Sequence, residues 1–415
     1  MNFRLSVCRE AVFLFLWLAV LFGIHPSFAA DNAANEEENL KAVYLRYQKE
    51  SMQLKPDRMP AFLTFWEKEF QNVLTGSTST NFLRLRMLDE LGTIQGRLGK
   101  PQASAETYKT MAATAREAHD LESQVIAVQN QFELGGSGPV EDLTNTAGLF
   151  ESLSQQLVDQ RDSAGARKRY CDALVEIGTI LGGRSKSSPE NSTHLLEQAK
   201  RAMEQSVALG DEGTTPLVSR LCNLGGLQSA LHLREEAAAT YGKVLDTKQT
   251  LVSPLYVEFL RAHELATPET PEYRQVLEHA LQKHIQRGER DEYEATFRHE
   301  LGLSYQRASQ FQKSTEVLSP NLKADDKELS AYDLYLIAQN YRSLGDASTA
   351  DGLMKDLKTQ YPKSGTVDMV ESHNRDSRQP SAPKTAVTRV LLVCLTGIPI
   401  VFLALRRFLL IRKKA

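Results

Sequence analysis

Residues 331–362 read AYDLYLIAQNYRSLGDASTADGLMKDLKTQYP, and their spacing is the strongest indication of a fold in this chain. Small residues stand twelve apart at Ala338 and Ala350, and large residues follow each of them at Tyr341 and Met354. Small side chains let two antiparallel helices approach closely, and the large ones fill the space between them. The stretch therefore predicts two helices that turn back on each other at Gly345.

The same spacing returns in four other parts of the chain. A small residue after a branched apolar one is followed twelve residues later by a second small residue, and then by a large one. The copies are Leu91-Gly92 with Ser104 and Tyr108, Leu224-Gly225 with Ala237 and Tyr241, Leu301-Gly302 with Ser314 and Leu318, and Ile177-Gly178 with Ala199 and Met203 after a loop insertion from Gly182 to Asn191. Self-similarity of this kind is typical of repeat proteins.

With its terminal Tyr361-Pro362, the copy at 331–362 resembles the tetratricopeptide repeat (TPR). The resemblance implies an all-α superhelical solenoid whose hairpins bury their apolar faces only against neighbours. Less typical hairpins are predicted at 40–74, 121–157 and 252–286, which brings the total to about eight. The copies depart from the family pattern, because their spacing varies from about 36 to 47 residues and none has tryptophan at position 4.

The resemblance also implies a peptide-binding groove, since the first helix of each repeat lines it in this family. In the last two copies the corresponding residues are His299, Gln306, Arg307, Tyr332, Tyr335, Gln339 and Arg342. Tyrosine, amide and guanidinium groups suit a peptide backbone or a carboxylate. A solvated helix face is the alternative, and the family's Lys/Asn clamp for C-terminal carboxylates is not reproduced.

The first 29 residues predict a signal peptide. Arg4 and Arg9 precede an apolar run at 11–24, which is too short for a comfortable membrane span. Small residues at Ser27 and Ala29 predict cleavage after Ala29, with Ala30 as the alternative. An uncleaved anchor would leave the following domain on the same side of the membrane.

The last 30 residues predict a single membrane span and a basic tail. No charge occurs from Val390 to Leu405, and including residues 386–389 gives about 30 Å of helix, the thickness of a hydrocarbon core. Five basic residues in 406–415 predict that this tail is cytoplasmic. The expected division is signal peptide 1–29, helical solenoid 30–368, flexible stalk 369–385, transmembrane helix 386–405 and tail 406–415.

Charge argues against nucleic acid as a partner of the predicted solenoid. The whole chain has 49 Lys+Arg and 52 Asp+Glu. Setting aside two basic and one acidic residue in 1–29 and six basic residues in 386–415 leaves 41 basic and 51 acidic, a net charge of about −10. Such a domain lacks the basic patch that nucleic acids or anionic lipids need. Its expected partner is a protein or peptide, and the membrane is contacted through the C-terminal helix.

Motifs of catalysis and metal binding are not found, so no enzyme, cofactor, metal site or small-molecule substrate is predicted. His279 and His284 are five apart, on different faces of a helix, and His299 has no second histidine at the spacing of a zinc helix. Of the cysteines outside the two membrane signals, Cys171 and Cys222 could pair, but two buried thiols are favoured.

These observations predict a membrane-anchored scaffold that binds a protein or peptide on the non-cytosolic side. A structural spacer of an envelope complex and an enzyme built on a helical solenoid are the alternatives. A bacterial inner membrane with the domain in the periplasm is the favoured location, and a eukaryotic endoplasmic-reticulum or secretory membrane is the alternative. In a eukaryote the sequon at Asn191-Ser192-Thr193 would matter, as a glycosylation acceptor.

Overall fold

A computed structural model describes residues 30–77, 79–136, 138–247, 251–288 and 291–376. These residues form seventeen α-helices and three short 3-10 helices, and no strand occurs among them. The α-helices are α1 (Ala30–Met52), α2 (Met59–Thr75), α3 (Phe82–Arg97), α4 (Pro101–Glu117), α5 (Leu121–Gly135), α6 (Val140–Arg161), α7 (Ala164–Ser185), α8 (Ser192–Ala208), α9 (Leu217–Ala230), α10 (Arg234–Asp246), α11 (Pro254–Leu265), α12 (Pro271–Arg287), α13 (Glu294–Arg307), α14 (Phe311–Leu318), α15 (Lys327–Ser343), α16 (Ala347–Gln360) and α17 (Gly365–Asp376). The predicted all-α class is confirmed for this part of the chain.

Helices α1–α16 belong to one compact unit, Asp31–Tyr361, and pair into eight successive hairpins. Most contacts join a helix to the one before or after it in the chain. The odd-numbered helix, which begins each hairpin and is called its first helix below, also touches the first helix of an adjacent hairpin, as in α7–α9, α11–α13 and α13–α15. This nearest-neighbour packing is that of a solenoid.

The small residues of the sequence repeat lie where the two helices of a hairpin cross. A Cβ atom built on Gly92 or Gly225 would fall 2.6 Å from the ring of Tyr108 or Tyr241, sixteen residues further on. Gly302 meets Leu318 in the same way. Since a real Cβ atom is excluded at such distances, the glycines are required by packing rather than by backbone conformation. The close crossing of two helices that the spacing predicts is thereby confirmed in these hairpins.

Hydrogen bonds repeat with the same twelve-residue step. The Ser104 hydroxyl donates to the carbonyl of Gly92 at 2.7 Å, and the Ser314 hydroxyl donates to that of Gly302 at 2.8 Å. A second bond with this step occurs in the same hairpin α3–α4, where Thr107 donates to Gln95, and in the hairpin α9–α10, where Thr240 donates to Gln228, both at 2.7 Å. Each bond joins the first helix to the second and satisfies a buried hydroxyl group at the crossing.

The structure corrects several expectations about connections. The insertion before Ala199 is not a loop throughout, because α7 stays helical to Ser185 and a 3-10 turn covers Pro189–Asn191. Thr270 caps α12 as its position before Pro271 indicates. Cys171 and Cys222 are both free thiols, as favoured.

The predicted boundary at 368 and the start of the predicted stalk at 369 both fall inside α17, so the described part of the predicted stalk is helical. The Ser364 hydroxyl accepts a hydrogen bond from the Val367 amide, and Val367 and Val370, three apart, are buried. A capped helix with one apolar face explains the difference. The solenoid unit itself ends at Tyr361.

The predicted signal peptide, the rest of the stalk, the transmembrane helix 386–405 and the tail 406–415 lie outside the described residues. Within the described part of the chain, none of the helices combines the length and the apolar character needed to cross a membrane.

Candidate functional site

The first helices α11, α13 and α15 form one continuous face near the C-terminal end of the solenoid, called the first-helix face below. At one end of this face, Asp291, which precedes α13, joins the N-terminal ends of α11 and α13. The Asp291 carboxylate accepts hydrogen bonds from the Ser253 hydroxyl, at 2.7 Å, and from the backbone amide of Tyr293, at 2.8 Å. A carboxylate between two helix N-termini is favourable because both helix dipoles present their positive ends to it. The start of α11 is thereby fixed against the start of α13.

With the two helix starts held together, three aromatic side chains come into contact. The rings of Tyr256 and Tyr293 meet edge to face with centroids 5.1 Å apart, and Phe259 lies 5.9 Å from Tyr293. His263 meets Phe259 edge to face, with ring centroids 4.5 Å apart, and hydrogen-bonds to the Tyr273 hydroxyl at 3.0 Å. Burial lowers the pKa of His263, so this imidazole is neutral near neutral pH.

A second aromatic group lies between α13 and α15. His299 is 5.5 Å from Tyr332, which stacks on Tyr335 with centroids 6.1 Å apart. The His299 Nδ1 atom lies 2.5 Å from the carboxylate of Asp333, which is fully buried, and Asn321 donates to the same carboxylate at 2.7 Å. Since this network joins two hairpins, His299 serves their packing as well as the face.

Glu300 lies on α13, next to His299 in the chain. It is half-buried, and within the described residues no donor reaches its carboxylate by a hydrogen bond or ion pair. Burial raises the pKa of Glu300, while the neighbouring His299 and Arg307 oppose that rise and Asp333 adds to it. Burial first, and then the Glu300 charge, raise the pKa of Tyr293, which places the two side chains within electrostatic reach of each other.

The residues predicted from the family pattern are only partly brought together. His299, Tyr332 and Tyr335 form one cluster. Gln306 is used internally, since it donates to the buried amide oxygen of Asn340 at 2.9 Å. Gln339 is half-buried on α15. That any of the seven binds a ligand stays a prediction.

The two predicted arginines are exposed and face acidic partners. Arg307 lies 3.9 Å from Glu269, and Arg342 donates to Asp351 of the next helix at 2.7 Å. Exposed pairs of this kind contribute at most about 1 kcal/mol. Both guanidinium groups can therefore exchange their partners for a ligand at little cost.

Sequence reasoning missed Tyr256, Tyr293 and Glu300. The hairpin α11–α12 lacks the glycine that sets the register elsewhere, so Tyr256 could not be aligned with the other copies. Tyr293 precedes its helix and lies outside the repeat pattern. Glu300 had a usable signal, because glutamate also stands two residues before the crossing glycine at Glu90 and Glu176.

A second concave feature lies between the second helices α12 and α14. α14 spans only eight residues, and a cleft of about 460 Å³ opens beside it. Tyr305 and Leu301 line its apolar part, while Lys313 reaches over the Tyr305 ring and pairs with Glu278 at 3.9 Å. Since Lys313 and Glu278 pair with each other, their charges are already balanced, unlike that of Glu300.

No protein-family model matches this chain, and no curated protein matches it. Among solved structures, a putative kinesin light chain from Podosopora anserina with nearly identical TPR-like repeats is 18% identical, covering 46% of this chain and 95% of its own, with a TM-score of 0.33. The apo quorum sensor NprR from B. thuringiensis is 13% identical, with 84% and 92% covered and a TM-score of 0.37. A Rap protein complexed with competence and sporulation factor is 11% identical, with 66% and 76% covered and a TM-score of 0.28.

Proposed function

We propose that this protein is a membrane-anchored scaffold whose first-helix face binds an extended segment of a partner protein or peptide on the non-cytosolic side of a membrane. The observation that carries the binding proposal is the row of half-buried tyrosines along α11, α13 and α15. They are the partly exposed residues Tyr256, Tyr293, Tyr332 and Tyr335. Rigid aromatic groups of this kind are enriched at protein interfaces.

The polar groups on the same face support a peptide as the ligand. A peptide presents amide donors and acceptors at regular intervals, and the face offers carboxylate, phenol, amide and guanidinium groups within three neighbouring hairpins. Arg307 and Arg342 are held only by exposed acidic partners. A ligand carboxylate can therefore pair with either arginine, and the ion pair that is broken on the protein costs little free energy.

The membrane anchor and the side of the membrane rest on the sequence. The apolar run 390–405, followed by five basic residues, favours a single span with a cytoplasmic tail. The run at 11–24 favours export of the intervening domain. Together they support a helical domain held at the membrane by its C-terminal end.

Peptide binding can be tested with the full chain solubilised in detergent and immobilised. A display library of random twelve-residue peptides should yield ligands, and Tyr332→Ala and Tyr335→Ala should each weaken the selected peptides about tenfold. Tyr170→Ala is the matched control, since Tyr170 is a partly exposed tyrosine of α7, outside this face. Recovery of no peptide, or equal losses in the control, would overturn the proposal.

A further inference from the structure

The same register position carries a glutamate in three hairpins. Glu90, Glu176 and Glu300 each precede a crossing glycine by two residues. In two of the three, the first helix of the preceding hairpin supplies a hydrogen-bond donor. The Tyr47 hydroxyl donates to Glu90, and the Gln129 amide donates to Glu176, both at 2.8 Å.

Glu300 occupies this position without such a donor. The preceding first helix, α11, contributes the rings of Tyr256 and Phe259, which pack on Tyr293. Within the described residues the carboxylate has no hydrogen bond and no ion pair, and its oxygens are not among the side-chain atoms sealed from solvent. A half-buried carboxylate in this condition has no protein hydrogen bond that offsets its partial desolvation.

The surroundings of Glu300 favour a positively charged partner. The faces of tyrosine rings attract cations, and Tyr293 and Tyr332 both lie within electrostatic reach of this carboxylate. A neutral donor would satisfy one oxygen and leave the charge unbalanced. Only a cationic nitrogen uses both the carboxylate and the rings.

We propose that the Glu300 carboxylate, with the rings of Tyr293 and Tyr332, receives a lysine or arginine side chain of the bound peptide. The inference rests on the proposed peptide-binding function and names its ligand class. The bound peptide then carries charges of both signs, with a basic residue at Glu300 and acidic groups within reach of Arg307 and Arg342.

Arg307 is the internal competitor for this carboxylate. It lies two helical turns from Glu300 and partly neutralises it, but its guanidinium contacts Glu269. If Arg307 were the working partner of Glu300, peptides selected on the natural protein would show no basic preference, and Arg307→Gln would create one. The proposal expects the basic preference in the natural protein and an equal or stronger one in Arg307→Gln.

The test selects peptides from the random library on the natural protein and on Glu300→Gln, which keeps the shape of the side chain and removes its charge. We expect lysine or arginine enriched at one peptide position on the natural protein and no enrichment on the variant. Replacing that residue by glutamine in a synthetic peptide should weaken binding to the natural protein about tenfold, and binding to Glu300→Gln hardly at all. N-terminally acetylated peptides separate a side chain from the amino terminus as the bound cation.

Glu278→Gln is the matched control, because that carboxylate lies in the cleft beside α14 and pairs with Lys313. It should leave the selection unchanged. Continued binding of neutral peptides by Glu300→Gln shows that the variant is folded. This inference would be overturned if the selected peptides had no basic preference, or if that preference survived in Glu300→Gln. In both cases the peptide-binding proposal would stand. Absence of any selected peptide would overturn both.

Discussion

At the scale of single residues, the crossing glycines show how little space is left for a side chain between the two helices of a hairpin. Gly302 meets the side chain of Leu318, whereas Gly352 on α16 is exposed and has nothing within 4 Å of an added Cβ atom. We expect Gly302→Ala to destabilise its hairpin by about 1–2 kcal/mol through overpacking. Gly352→Ala is the control and should stabilise α16 by about 0.5–1 kcal/mol. Urea unfolding followed by circular dichroism measures both, and similar effects in the two variants would contradict the close crossing.

Glu176 carries a prediction about pH. Burial and the neighbouring carboxylate of Glu133 raise its pKa to about 8, Asp172 adds to this, and the Gln129 amide opposes it. The folded state therefore holds this proton more tightly than the unfolded state does. The stabilisation is present below the ordinary carboxyl pKa and is lost as the pH rises through about 8. Glu176→Gln should flatten this dependence and add about 1–2 kcal/mol of stability at pH 8.

Thermal unfolding of the natural protein and Glu176→Gln between pH 5 and pH 8.5 checks this sign. Glu190→Gln, in the exposed 3-10 turn, is the control and should keep the natural pH dependence. A natural protein that becomes more stable over this range, relative to Glu176→Gln, would contradict the raised pKa of Glu176.

Glu300 carries the other pH prediction. The groups facing it are His299 and Arg307 on its own helix, Tyr332 and Asp333 on α15, Tyr273 on α12, and Tyr293. Because burial raises its pKa, its charge is lost at a higher pH than that of an exposed glutamate. The preference for basic peptides should therefore weaken on acidification at a higher pH than the protonation of an exposed glutamate would cause, and fluorescence anisotropy with a selected peptide measures it. A preference that weakens only where an exposed glutamate is protonated would contradict the prediction.

At the scale of helices, the sequence spacing was sufficient for hairpins whose crossing residues are small. Ala350, twelve residues after Ala338, is fully buried. Ala350→Trp should unfold the hairpin α15–α16 locally, at a cost of about 1–3 kcal/mol or more, while α1–α8 keep their protection because hairpins couple mainly to neighbours. Ala347→Trp, exposed on the same helix, is the control. Hydrogen exchange followed by mass spectrometry resolves the hairpins, and even loosening along the unit would contradict this coupling.

The residues of the first-helix face that could not be predicted from the sequence share a physical reason. The crossing pattern reports contacts inside a hairpin, whereas the first-helix face is built by contacts between hairpins. The bond from Asp291 to Ser253 joins residues 38 apart, and the pair of His299 and Asp333 joins residues 34 apart. Such contacts leave no fixed spacing in the sequence, so Tyr256, Tyr293 and the internal role of Gln306 appear only in the folded structure. α17 was missed for a different reason, because its capping serine and its two valines were outweighed by the polar residues after them.

At the scale of the whole molecule, the sequence predicts one arrangement: domain outside the cytosol, one span, and a cytoplasmic tail. Protease added to the outer face should digest the domain and leave a small membrane-bound C-terminal fragment. Reversing the five tail charges, Arg406, Arg407, Arg412, Lys413 and Lys414, should impair retention of the span. A domain that resists protease until lysis, together with a protected cytosolic marker, would contradict the arrangement.

The nearest-neighbour packing of the eight hairpins has a mechanical consequence. Among the described residues, the contacts between helices run mainly between neighbours in the chain. When such a stack is pulled by its two ends, the load therefore passes through the interfaces in series. The weakest interface opens first, and each hairpin of about 40 residues then releases roughly 130 Å of extended chain. A partner held on the first-helix face clamps α11, α13 and α15 together, and those three hairpins then yield last. Optical-tweezers traces with a selected peptide should show the final unfolding steps moved to higher force. The molecule would then be an elastic tether in which the bound peptide determines which part is stiff.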